Sequence, residues 1–243
     1  MAALKPAFRV LVTDFVWPTT DPEREVLARI GAEIIEAPDP SEETLAALAE
    51  GVDGIMTCFA QVTPRVVRAA GRCIVISRYG VGVDNIAVDT ATQEGIIVTY
   101  LPDYCVDEVS DHVMALLLGW NRQISFHDRV AKQGQWGGVV SPVPLVRLRG
   151  SKLGIIGLGR IGRAVAVKAQ AFGLELLGFD PYLSPDAELP AGLRRVDLPG
   201  LLAEADYVTV HTPLNEETRG LIGADEFARM KDNAFIINCA RGP

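Results

Sequence analysis

The chain has 243 residues, 49% of them hydrophobic and 22% charged, with a formal net charge of −8. That composition belongs to an ordinary folded chain rather than a disordered one, and the length suits two domains of roughly 100–150 residues each. The acidic balance argues against a direct grip on nucleic-acid phosphates, which needs clustered Lys and Arg.

Strand and helix signals alternate over the first hundred residues. "FRVLVTDF" predicts a buried strand, after which Asp21 offers an N-cap, Pro22 a first helical residue and Gly31 a stop. "AEIIEA" predicts a second strand, "SEETLAALAE" a helix opened by Ser41, and "GIMTC" a third strand. Thr63-Pro64 opens another helix, and "CIVIS" and "IIVTY" add two strands around a short helix near Ala87–Glu94. Strands joined by helices of this length predict crossover units and a parallel sheet. The N-terminus passes straight into the first strand, so no signal peptide is expected. The strongest apolar run, "VMALLLGW", is far short of the roughly 18 residues of a membrane span.

The pattern changes at "YLPDYCVDE", where Pro102 breaks the strand. A long helix is predicted over 104–132 and a Gly/Pro-rich extended segment over 134–150. The domain boundary is therefore expected near residue 100, giving domains 1–99 and 100–243. Strand–helix alternation then resumes, with five strands near 153–157, 174–179, 194–196, 206–210 and 234–238. The cysteines (Cys58, Cys73, Cys105, Cys239) are scattered and predict reduced thiols in a cytoplasmic setting. His112, His127 and His211 have no ligand spacing to them, so no metal site is expected.

The most informative stretch is "GLGRIG" between the strand "LGIIG" and a helix reaching Phe172. Gly157 suits a tight turn, Gly159 a close approach of backbone to a pyrophosphate, and Gly162 close packing of helix on strand. A packing-only Gly-rich turn is the bland alternative. The following strand ends in Asp180, near the spacing expected for an acid that accepts bonds from ribose hydroxyls. Pro181 and Tyr182 follow, with no adjacent Arg to receive a 2′-phosphate, so the expected cofactor is NAD rather than NADP.

Taken together, "RYGVGVDNI", "DEVSDHVMALLL", "LRGSKLGIIGLGRIG", "HTPLNEETRGLI" and "AFIINCARGP" resemble the D-2-hydroxyacid dehydrogenase family in order and spacing. "PDYCVDEVSDH" looks most like the branch containing the C-terminal-binding proteins, which are transcriptional corepressors. The resemblance implies a flavodoxin-like substrate domain and a Rossmann dinucleotide-binding domain, both doubly wound α/β. It implies hydride transfer between NAD(H) and a small 2-hydroxy or 2-oxo acid in a homodimer. By position it assigns the substrate carboxylate to Val81 and Gly82 and to the catalytic Arg241. It assigns the cofactor to Val106, Gly157, Gly159, Arg160, Ile161, Gly162, Asp180, His211, Thr212, Pro213 and Cys239.

Bland readings stand beside these. The glycines around Val81 could serve a turn needing positive φ, and Arg241 could be a surface residue. Asp107, Glu108, Asp111 and His112 suit a helix N-terminus, a metal site being the sharper alternative. The family's acid–base Glu and His follow its arginine and have no counterpart in these 243 residues. The expectation is a fragment with an incomplete second domain, inactive alone. An NAD(H)-binding regulator with little catalysis is the alternative.

Overall fold

The computed structural model describes residues 7–141 and 143–243. The first six residues, on which the expectation of no signal peptide partly rests, and Pro142 of the expected extended segment lie outside the described residues. The chain divides into two compact units between Tyr104 and Cys105. That division falls a few residues after the expected boundary. Leu101 N donates to Gly80 O at 3.0 Å, which ties the stretch beyond the last strand to the first unit.

In the first unit, β1 (Phe8–Val12), β2 (Ala32–Glu36), β3 (Gly54–Thr57), β4 (Val75–Arg78) and β5 (Ile97–Thr99) pair in the order β2-β1-β3-β4-β5. All pairs are parallel. The connections hold α1 (Asp21–Ala28), α2 (Glu42–Ala49), α3 (Pro64–Ala69) and α4 (Val88–Gln93). The strand order reverses beside β1, and right-handed crossovers then put α1 on the face opposite α2, α3 and α4. Leu11, Ile55 and Ile76 of the strands are buried with Leu45, Val66, Val67 and Ala91 of those three helices.

Local chemistry sets the helix starts. Ser41 Oγ accepts from Thr44 N and Thr63 Oγ1 from Val66 N, as their positions before a helix predict. The first helix departs from expectation. Thr20 is the N-cap, Asp21 is already helical, and no side chain caps the end. The Thr20 hydroxyl is instead engaged by Glu36 and by Arg24 Nε.

In the second unit, β6 (Lys152–Ile156), β7 (Glu175–Phe179), β8 (Leu193–Arg195), β9 (Tyr207–Val210) and β10 (Phe235–Asn238) pair in parallel as β10-β9-β6-β7-β8. Numbered within the unit, this is the 3-2-1-4-5 order of a Rossmann sheet. Both faces are covered. Leu153 and Ile155 of β6 meet Val113 and Leu117 of α5 (Val106–Asn121) and Val165 and Ala169 of α7 (Arg160–Ala171). Ile156, Leu177 and Val208 meet Leu201 and Leu202 of α8 (Leu198–Glu204) on the other face. One short helix, α9 (Ala224–Arg229), precedes β10. No helix among the described residues is long and apolar enough to cross a membrane.

The long helix expected over 104–132 is broken in two, α5 and α6 (Ile124–Lys132). Gln123 takes the left-handed conformation at φ 53° between them, and its side-chain amide donates to Trp120 O at 2.8 Å. The side-chain bond compensates a backbone turn that a non-glycine residue rarely makes. Just before the break, Asn121 Nδ2 donates to the Tyr207 hydroxyl at 2.8 Å and to Val146 O at 3.1 Å. One buried amide thus joins α5, β9 and the extended segment. Tyr207→Phe should leave one amide N–H unpaired and cost about 1–3 kcal/mol, read as a lower urea midpoint at constant m-value. An unchanged midpoint would mean that this junction contributes little.

Candidate functional site

Ligands of doubly wound sheets lie beyond the carboxyl ends of the strands, where the strand order reverses. In the second unit that point lies between β6 and β9. Gly157, directly after β6, has φ +92°, a conformation that L side chains rarely adopt. A Cβ there would lie 2.9 Å from the carbonyl carbon of His211, so the loops after β6 and β9 touch backbone to backbone. A Cβ on Gly162 would overlap the Gly157 carbonyl oxygen, which fixes how closely α7 descends on β6. Gly159 is different. A Cβ there would meet nothing within 4 Å, so its backbone faces open space.

Gly159 is the N-cap of α7 and offers no capping side chain. The first intrahelical bond at this end runs from Arg163 N to Gly159 O at 3.0 Å. The N–H groups of Arg160, Ile161 and Gly162 therefore lack helical acceptors, at the positive end of the helix dipole. That arrangement suits a phosphate. Asp180, directly after β7, closes the other side: Oδ2 accepts from Leu158 N at 2.9 Å and Oδ1 from Tyr182 N at 3.0 Å. The carboxylate is thus fixed against the Gly-rich turn with lone pairs to spare.

Across the reversal, His211 follows β9 and is half-buried. Its Nε2 lies 2.9 Å from Thr209 Oγ1, and burial pushes its pKa down to about 4. The imidazole is therefore neutral at physiological pH. Thr212 and Pro213 line a cavity of about 290 Å³ together with Asn238, Ala240 and Arg241. Asn238 shapes the turn after β10, since Nδ2 donates to Arg241 O at 2.6 Å and Oδ1 accepts from Ala240 N at 2.9 Å. Cys239 is turned toward the α5–α7 face, where it packs partly buried on the core and burial raises its thiol pKa. Val106 opens α5 and is half-buried.

Of the acids at the start of α5, Asp111 pairs with Lys168 Nζ at 2.6 Å and Asp107 with the same amine at 3.5 Å. These contacts fasten α5 to α7 and agree with the helix-terminus reading.

In the first unit, Val81 and Gly82 are half-buried in the loop after β4. Neither Gly80 nor Gly82 has positive φ, so the turn-strain reading does not apply. A Cβ on Gly80 would run into the guanidinium of Arg78, which lies directly against the loop backbone. Arg78 is buried at 7% exposure, donates from Nε to Asn85 Oδ1 at 3.2 Å, and has its Cζ 5.6 Å from the Phe59 ring centroid. Asn85 in turn donates to Ala60 O at 2.8 Å. Sequence reading missed Arg78, although "SRYG" places it one residue from the loop.

It also missed Arg195. No Arg adjoins Asp180 in sequence, but parallel pairing sets Arg195 of β8 opposite Gly178 of β7. Arg195 Nη2 then donates to the Asp180 carbonyl at 3.2 Å.

His211 carries a pH signature. Between its ordinary pKa of 6.5 and about 4 the unfolded chain binds a proton that the folded chain refuses. Stability should fall as pH is lowered through that window, and His211→Gln should remove this component. An NMR titration of the imidazole should show it neutral down to about pH 4; a midpoint near 6.5 would show that burial does not control it.

Residues 114–243 match the D-isomer specific 2-hydroxyacid dehydrogenase, NAD binding domain. The chain is 37% identical over 235 residues to D-3-phosphoglycerate dehydrogenase of Methanocaldococcus jannaschii, covering 96% of this chain and 44% of that protein. The human protein of the same name is 34% identical over 235 residues, with 96% and 43% covered. The chain thus spans less than half the length of these relatives. Among solved structures, a glyoxylate reductase from Paecilomyes thermophila superposes with TM-score 0.87 at 29% identity, covering 98% of this chain and 75% of that one. D-lactate dehydrogenase from Aquifex aeolicus, complexed with NAD and lactic acid, gives TM-score 0.84 at 28% identity, with 96% and 69% covered. With its reversed parallel sheets and its glycine turn closed by Asp180, the chain belongs to the D-isomer specific 2-hydroxyacid dehydrogenase family, and its second unit carries that family's NAD-binding domain.

Proposed function

We propose that this chain serves hydride transfer between NAD(H) and a small 2-hydroxy or 2-oxo acid. The observation that supports it most is the conjunction of an uncapped α7 start, open space at Gly159 and a fixed carboxylate at Asp180. Those residues fit a dinucleotide: backbone N–H groups of Arg160, Ile161 and Gly162 for the pyrophosphate, and Asp180 for the adenosine ribose. When bound, NAD(H) supplies or takes up the hydride. Thr212 and Pro213 border it at the loop after β9, with Val106 and Cys239 toward the nicotinamide. His211 stays neutral beside Thr209 and acts as a wall of this crevice rather than a proton donor.

The carboxylate of the acid finds a partner in the second unit. Arg241 offers a planar guanidinium fork that can bind it bidentately. In the first unit, taken by itself, the loop holding Val81 and Gly82 is a candidate anion-binding nest, with the buried guanidinium of Arg78 against Gly80. Relatives named for 3-phosphoglycerate, glyoxylate and lactate suggest a 2-oxo acid whose tail is not fixed by the glycine turn. A second copy of the chain is the expected partner. Exposed Leu116, Trp120 and Ile124 around the α5–α6 junction, with Trp136 and Val140 beyond, offer apolar surface for it.

The reading is tested on the protein purified from its own cells, by NADH oxidation with glyoxylate, pyruvate and 3-phosphohydroxypyruvate. Turnover with at least one acid is expected. Arg241→Gln should lower kcat/KM by about 10²-fold or more while NADH affinity stays unchanged. NADH binding without any turnover would contradict the dehydrogenase and favour an NAD(H)-responsive regulator. Absence of NADH binding would contradict both.

A further inference from the structure

The loop behind Asp180 is held by a cation from the neighbouring strand. Arg195 Nη2 donates to Leu183 O at 2.6 Å and to Asp180 O at 3.2 Å, and Nη1 donates to Ser184 O at 3.1 Å. These bonds use three of the five guanidinium N–H groups. The adjacent Arg194 is paired with Glu204 at 2.6 Å, whereas Arg195 makes no ion pair among the described residues. A fixed positive charge, with donors to spare, therefore stands beside the backbone of the acid that faces the adenosine ribose.

The two charges act in opposite directions on a 2′-phosphate. The Asp180 carboxylate accepts bonds from a neutral 2′-hydroxyl and repels a phosphate of about two negative charges. Arg195 attracts that phosphate, and its anchoring to three carbonyls means little side-chain freedom would be lost on binding. We propose that Arg195 is a specificity-determining residue: a ready receptor for a 2′-phosphate, kept silent only by the charge of Asp180. The proposal rests on the reading that Asp180 faces the adenosine ribose of a bound dinucleotide.

The test compares NADH and NADPH binding, by nucleotide fluorescence, to the wild-type protein and to three variants. Asp180→Asn keeps the shape and one acceptor for the Leu158 and Tyr182 N–H groups while removing the charge. It should bind NADPH about tenfold or more tightly than wild type does, since a charged hydrogen bond is gained and a repulsion lost. Adding Arg195→Gln to Asp180→Asn should abolish that gain. Adding Arg195→Lys instead should retain most of it, showing that charge rather than loop packing is responsible. Survival of the gain in the Gln double variant would overturn the proposal, because the phosphate would then be held elsewhere. No gain in Asp180→Asn, with NADH still bound, would overturn it as well. Failure of the wild-type protein to bind either dinucleotide would overturn the underlying reading and the proposal with it.

Discussion

The second unit depends on one close approach, in which the first turn of α7 lies against the end of β6 with no room for a side chain. A Cβ on Gly162 would overlap the Gly157 carbonyl, and a Cβ on Gly157 would press on the His211 backbone. Interiors at this density respond to a single added methyl by shifting backbone or straining rotamers. The two contacts lock three features together: the end of β6, the start of α7 and the loop after β9. The helix N-terminus is thereby aimed across the point where strand order reverses, with its N–H groups open. The placement of those N–H groups is therefore a consequence of backbone packing rather than of any polar side chain.

Side chains add charge to that frame. Asp180 spends one oxygen on Leu158 N and the other on Tyr182 N, so its charge is held at the turn whether or not a ligand is present. His211, by contrast, contributes no charge, because burial keeps it neutral. Arg195 and Arg241 bring positive charge from β8 and from the turn after β10. The second unit thus gathers a neutral backbone turn, one anion and peripheral guanidinium groups around the carboxyl ends of its strands.

Much of the fold was legible from local pattern. Alternating apolar runs located all ten strands of the two sheets, and Ser41 and Thr63 announced helix starts that the structure shows capped by their hydroxyls. Gly157 and Gly162 could be read because turn strain and close packing both demand a missing side chain within six residues. The failures share a cause. Thr20 caps by position while its hydroxyl is drawn to Glu36, and the expected long helix breaks after Asn121, where the side-chain amide of Gln123 compensates a left-handed turn. Arg195 meets Asp180 only through strand pairing. Gly80 lies against the guanidinium of Arg78 and has no positive φ of its own. Each depends on where a long or polar side chain settles after folding, which spacing alone does not encode.

On the proposed reading, the turn at Gly157–Gly162, with Asp180, holds the adenosine-diphosphate half of the cofactor. This is tested most directly by calorimetric titration of the protein with ADP-ribose and with its 2′-phosphorylated form. ADP-ribose should bind with one site per chain, and the 2′-phosphorylated form should bind at least about tenfold more weakly, a difference of about 1.4 kcal/mol. Equal affinity for the two, or no binding of ADP-ribose, would contradict the account.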